Sequence, residues 1–254
     1  MQVLVDGDSK GSGVASVESA EFVQATASGD DLTVTGNVVG DPDRTESSVY
    51  VEGGAKITVE GKVAEYGNGS AIQAYETSNV TVKEDVEEKG NNHAICAFNS
   101  TVEIKGNVEE DDSGDAIYVF GNAQVSVKGD VKQDGIGYAI QTFESSGSRV
   151  LVEGTVTGNI KNQSGNNIYI GKLSEGSNIE NGIVHYLIGT ADGSALPNTD
   201  FTIIGGGELL EATDGAFDTV EGVEKDGKAK KYYYTKSAVP NEFKNKKILT
   251  QTFN

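Results

Sequence analysis

The chain has 254 residues, among them 33 Gly, 3 Pro, one Cys and no Trp, and its 39 acidic against 20 basic side chains leave a net charge of −19. One Cys excludes an intramolecular disulfide framework, the acidity argues against recognition of a phosphate backbone, and no apolar run approaches the ~18 residues of a membrane-spanning helix. Gly without a three-residue period or abundant Pro excludes a collagen.

In chain order, Val3-Leu4-Val5-Asp6-Gly7, a weaker copy of the seven-residue unit given below, opens the sequence, and Phe22-Val23-Gln24-Ala25-Thr26, an early copy of the second unit, follows. No basic n-region, apolar h-region or cleavage site precedes them. With Met1 as the sole Met, which fits an added start codon, this reads as an excised piece of a longer secreted chain. Then a seven-residue unit recurs: Leu32-Thr33-Val34-Thr35-Gly36-Asn37-Val38, Ile57-Thr58-Val59-Glu60-Gly61-Lys62-Val63, and equivalents starting at Val80, Val102, Val125 and Val150. The starts lie 25, 23, 22, 23 and 25 residues apart. Interleaved with it is a second unit: Ala71-Ile72-Gln73-Ala74-Tyr75, Ala94-Ile95-Cys96-Ala97-Phe98, Ala116-Ile117-Tyr118-Val119-Phe120 and Ala139-Ile140-Gln141-Thr142-Phe143. Asn167-Ile168-Tyr169-Ile170 reads as its fading last copy. Between the units lie segments of turn composition such as Glu87-Glu88-Lys89-Gly90-Asn91-Asn92.

Alternation of Val, Ile and Thr at period two predicts strands with one buried face. Two short strands per repeat cannot bury that face alone, so repeats must stack, and a period of 22–25 residues is that of a β-solenoid. Helical repeats of roughly 33–47 residues and propeller blades of about 40 do not fit. Stacking predicts inward columns, Ile57, Val80, Val102, Val125, Val150 and Val59, Val82, Ile104, Val127, Val152. The Gly column (Gly36, Gly61, Gly106, Gly129, Gly154) marks an inward site or a bend where another backbone comes close. Glu84, which interrupts it, is expected to turn outward, because burying an unpaired carboxylate is costly. The outward column Glu60, Lys83, Lys105, Lys128, Glu153 reads as a solvated charged face, with Asp85 and Asp130 partly offsetting the lysines.

The two units together resemble the right-handed parallel β-helix of the pectin-lyase-like superfamily, in particular non-catalytic repeats of bacterial surface and adhesin-type proteins. The resemblance covers about residues 1–175 and implies an all-β, single-stranded right-handed parallel β-helix of about seven coils with a C-terminal β cap. Residues 1–177 are assigned to the repeats and 178–254 to irregular final coils and the cap, which a solenoid needs over its open core. Residues 225–254 carry eight Lys against Asp226 and Glu242, a net of +6, so residues 1–224 carry −19 − 6 = −25. The basic end is read as complementing its acidic neighbour. Leu196-Pro197-Asn198-Thr199-Asp200 is similar to a Gram-positive sorting motif, but Asp replaces its final Gly, and it reads as a loop.

A search for chemistry yields no catalytic, cofactor-binding or metal-ligating set. Glu109-Glu110-Asp111-Asp112, flanked by Glu87-Glu88 and Gln133-Asp134, reads as one continuous solvated acidic edge, with Ca²⁺ as the hard-cation alternative. His93 and His185 are too far apart in sequence for a zinc spacing. His93 occupies the Ser70, Asp115, Tyr138 position as a surface repeat variant, and Cys96 has no activating neighbour. Arg44 and Arg149 sit in different turns. The column Tyr75, Phe98, Phe120, Phe143 is the binding candidate. Strict parity with Gln73 faces it outward, where rings could grip sugars. A bend after Ala74 would turn it into the core, and that is the favoured placement. The expected protein is therefore a monomeric, non-catalytic structural or adhesive module, extracellular or at a bacterial cell surface. It would present a lateral solenoid face to a glycan or a host or cell-surface protein, without nucleic acid or membrane insertion. A β-helix polysaccharide lyase or glycoside hydrolase and a pure spacer are the alternatives.

Overall fold

The structure, a computed structural model, describes residues 3–144, 147–163, 165–174 and 176–190, and beyond them the backbone of strands Gly207–Leu209, Phe217–Val223, Ala229–Thr235 and Lys246–Phe253. The described residues form strands, turns and bends without a helix. The chain winds into a parallel β-helix of about seven coils, as the repeat predicts. Leu32, Ile57, Val80, Val102, Val125, Val150, Ile168 and Val184 are successive partners in one ladder. Both expected inward columns are buried to within 2 %.

Each coil from Asp31–Val34 to Ile140–Phe143 holds three strands, one more than the sequence suggested, whereas Arg149–Thr157 runs unbroken through the bend position of the next. The seven-residue unit is two strands around a bend: Lys56–Val59 and Val63–Glu65 in one coil, Asn79–Val82 and Val86–Glu88 in the next. The third strand is the Ala-Ile unit, as in Ile72–Tyr75. These third strands build a separate ten-stranded sheet. The Gly column sits at the bend, where backbones stack closely. A Cβ on Gly129 would lie 2.7 Å from the carbonyl oxygen of Gly106 in the preceding coil. Glu84 is exposed there, as expected.

At several bends the residue after the Gly or Glu84 position ties coils together. The Oδ1 of Asp85 accepts the N–H of Asn107 (2.7 Å), Asn107 accepts from Asp130 (2.8 Å), and Asp130 accepts from Thr155 (2.7 Å). Asp85 and Asp130 thus serve the backbone. The lysines take other carboxylates: Lys83 with Glu60 (3.6 Å), Lys105 with Glu103 and Lys128 with Glu153 (2.6 Å).

Two copies of the repeat lie elsewhere than the sequence placed them. Val3–Val5 pairs antiparallel with Val23–Ala25 and so caps the ten-stranded sheet, while Val14–Val17 takes the first rung beneath Asp31–Val34. Ile168 and Ile170 partner Val150 and Val152, so Asn167–Leu173 belongs to the Val-x-Val ladder. Its Ala-Ile rung is filled instead by Ile160, opposite Ile140. Apolar alternation alone cannot separate these two ladders, because both show an apolar-polar-apolar face.

Parallel pairing continues through Ile179–Glu180 and Gly182–Thr190, and Lys246–Phe253 closes antiparallel onto the latter. Phe217–Val223 and Ala229–Thr235 pair as a separate antiparallel ribbon. The Leu196–Asp200 motif and the side chains of the basic end and of His185 lie outside the described residues.

The solvated acidic edge needs correction. In Val86–Glu88 and Val108–Glu110 the alternation runs Val in, Glu out, Glu in. Glu65, Glu88 and Glu110 therefore form an in-register interior column with relative exposures of 1 %, 0 % and 0 %, continued by Gln133. Glu65 accepts from the Gly67 N–H and the Ser48 hydroxyl (both 2.7 Å). Glu110 accepts from the N–H groups of Asp112 and Gly114 and from the Gln133 amide. Glu88 accepts the Gly90 N–H on Oε1 (2.7 Å), but its buried Oε2 has no donor. Burial, with Glu65 and Glu110 on either side, pushes its carboxyl up to about 9. At neutral pH burial thus holds Glu88 in its neutral, protonated form.

Candidate functional site

The outward face of the ten-stranded sheet follows from parity. Ile72 and Ala74 point in, so Gln73 and Tyr75 point out. The column Tyr75, Phe98, Phe120, Phe143 lies on this outer surface in register, against the favoured core placement. The chain turns only after the ring, where Glu76, Asn99, Gly121 and Glu144 all adopt positive φ. The interior beneath the sheet is already filled by Ala74, Ala97, Val119 and Thr142. Tyr75, Phe98 and Phe120 are half-buried, and Phe143 is 42 % exposed.

The next column adds rings that the sequence reading left out. Tyr50 pairs with Gln73, which pairs with Cys96, Tyr118 and Gln141 in turn. Val49-Tyr50-Val51 is a copy of the Ala-Ile unit that lacks its Ala, and its 23-residue offset from Ile72 was the available signal. Rings pack along and across the columns: Phe98 on Phe120 at 4.6 Å, Tyr50 by Tyr75 at 5.9 Å, Tyr118 by Phe120 at 5.6 Å and by Phe143 at 6.3 Å. With strands about 4.8 Å apart, this makes a ridged aromatic strip roughly 15–20 Å long.

His93 stacks on Tyr118 at 4.7 Å and is half-buried, so it belongs to this strip and is more than a surface variant. Its Nδ1 accepts the Asp115 N–H (2.9 Å), which fixes the neutral ring with its proton on Nε2, and burial holds its pKa below the ordinary value. Burial raises the Asp115 carboxyl to about 6, and it raises the buried Cys96 thiol. Cys96 Sγ lies 3.8 Å from the Tyr75 hydroxyl. A thiol held neutral by burial is poorly set for nucleophilic attack. The Tyr50 hydroxyl donates to Glu52 (2.6 Å), and burial together with that contact raises its pKa to about 12. Tyr138 donates to Glu180 (3.2 Å), and Lys161 Nζ lies 5.3 Å over the Tyr138 ring.

At the strands Val108–Glu110 and Val131–Gln133 of the other sheet, Glu109, Asp111 and Asp134 bring carboxylate oxygens within 4.8 Å of one another. Their counter-charge is Lys132, which bridges Glu109 (2.8 Å) and Asp134, with Lys89 4.0 Å from Asp111. This group is the part of the acidic edge that does face solvent.

Residues 10–160, more than half of the chain, match the family model described as the right-handed beta helix region. No curated protein and no solved structure matches the chain.

Proposed function

We propose that this chain, which belongs to the right-handed β-helix family, is a non-catalytic binding module of a bacterial cell-surface or secreted protein, and that it holds a glycan or protein ligand on the aromatic face of its ten-stranded sheet. The outward, in-register placement of Tyr75, Phe98, Phe120 and Phe143 carries this reading. A solenoid that served only as a spacer has no use for rings on its outside, where burying each one against a ligand removes apolar area from water at about 25 cal/mol per Å². Three polar groups on the face serve positioning: Glu52 and Glu180 hold tyrosine hydroxyls, and His93 accepts a backbone N–H.

The test is an array of glycans and of host and cell-surface proteins, probed with and without Ca²⁺. The wild type is compared with a Phe98→Ala/Phe120→Ala variant whose fold is verified by circular dichroism. Binding by the wild type that drops in the variant supports the reading. Loss of all binding in both conditions, or binding indifferent to the two rings, overturns it.

A further inference from the structure

We propose that copies of this chain associate head to tail, the basic C-terminal strand Ala229–Thr235 of one copy pairing with the open edge strand Val14–Val17 at the acidic end of the next. Val14–Val17 is the outermost strand of the 16-stranded sheet and, among the described residues, pairs only with Asp31–Val34. On that side the carbonyls of Gly13 and Val17 accept from the N–H groups of Asp31 and Thr35. Successive residues of a strand turn their backbone groups to alternate sides, so Val14 and Ser16 present N–H and C=O to the open side. Ala15 and Val17 pack on the core but are only partly buried, whereas their partners Leu32 and Val34 are fully buried, and Val14 is 87 % exposed.

This edge is unprotected. Proteins blunt a solvent-facing edge with charge, Pro or a very short strand, because its unpaired backbone is a template for another chain. The ten-stranded sheet is blunted in this way at the same end of the solenoid, where it stops on the two-residue strand Asp8–Ser9. Gly11-Ser12-Gly13-Val14-Ala15-Ser16-Val17 contains neither a charge nor a Pro.

Charge complementarity selects the occupant. The coil end that carries the edge is acidic: Asp6, Asp8, Glu18 and Glu21 are exposed there against Lys10, a net of −3 over residues 3–21. Two such ends repel, which disfavours pairing edge to edge about a twofold axis. Residues 225–254 carry a net of +6. Within them Ala229–Thr235, which includes Lys230 and Lys231, pairs with Phe217–Val223 alone and so has an edge of its own to give. It lies beside Lys246–Phe253, which closes on Gly182–Thr190 at the far end of the parallel stack. About seven rungs spaced about 4.8 Å apart separate that end from Val14–Val17, so the two strands meet between copies and not within one. Such a contact uses a different surface on each copy and therefore repeats into open chains instead of closing as a dimer.

The test is sedimentation velocity of the 254-residue chain over about a hundredfold range of concentration, at ~0.02 and ~0.5 M salt, between which charge screening tightens severalfold. The wild type is expected to grow from monomer into dimers and longer species as concentration rises, and the higher salt should weaken association at least about tenfold. Val14→Lys puts a charge on the edge, and Ser16→Pro removes an outward N–H that the existing ladder does not use. Each, with its fold verified by circular dichroism, should stay monomeric, and so should Lys230→Glu/Lys231→Glu. Mixing Val14→Lys with Lys230→Glu/Lys231→Glu should restore a dimer and nothing longer, because the first supplies an intact basic strand and the second an intact edge. A wild type that is monomeric throughout, association that ignores Val14→Lys and Ser16→Pro, dimers that survive Lys230→Glu/Lys231→Glu, or a mixture that stays monomeric overturns the proposal.

Discussion

Glu88→Gln should make the protein more stable at neutral and alkaline pH. Glu88 is completely buried between Glu65 and Glu110, with Gln133 one rung further, Ser48 bonded to Glu65, and no cation among the partners of the column. Its folded pKa of about 9 exceeds the ordinary 4.5, so between these values the unfolded chain binds fewer protons than the folded one, and stability falls as pH rises. The contribution is intact below 4.5 and exhausted above 9. At 1.36 kcal/mol per unit the full swing is about 6 kcal/mol, of which about 3 kcal/mol is already lost at pH 7. Glutamine is isosteric and never charges, so this dependence vanishes in the variant. Glu110 and Asp115, also raised by burial, leave a smaller residual slope of the same sign in both proteins. The assay is urea denaturation followed by far-ultraviolet circular dichroism at pH 5, 7 and 8.5. The variant should match the wild type within about 1 kcal/mol at pH 5 and exceed it by several kcal/mol at pH 8.5. A variant destabilised by the same amount at every pH, or one retaining the full wild-type slope, would refute a neutral Glu88.

Two other substitutions probe the stacking itself. Ile117→Ala, in a fully buried column between Ile95 and Ile140, should cost about 2–5 kcal/mol in urea denaturation, because neighbouring rungs hold the cavity open. Gly129→Ala places a methyl 2.7 Å from the Gly106 carbonyl oxygen of the previous coil and should lower stability by about 1–3 kcal/mol in thermal melts, whereas alanine at the exposed Glu84 of an equivalent bend should change it little.

The architecture was legible because a solenoid is nearly one-dimensional. Each rung sits on the same rung of the next coil, so the recurrence of Val-x-Val at 22–25 residues already specifies pairing partners and inward columns. What recurrence could not determine was where the chain bends. The bend at the Gly or Glu84 position splits most seven-residue units into two strands, so Glu88 and Glu110 fall inside while Glu87 and Glu109 stay out to meet lysines. The same uncertainty governed the candidate site. Parity with Gln73 put Tyr75, Phe98, Phe120 and Phe143 outside, and a bend one residue earlier would have put them inside. The positive φ of Glu76, Asn99, Gly121 and Glu144 shows the turn coming after the rings. His93 and Tyr138 join the site from positions that share no residue type with their neighbours in the column, so only the three-dimensional register gathers them. By itself the sequence determined the stacking, since identical neighbours favour identical partners. The tertiary structure decided which side of each strand meets water, because that depends on the φ of single turn residues that composition and period do not encode.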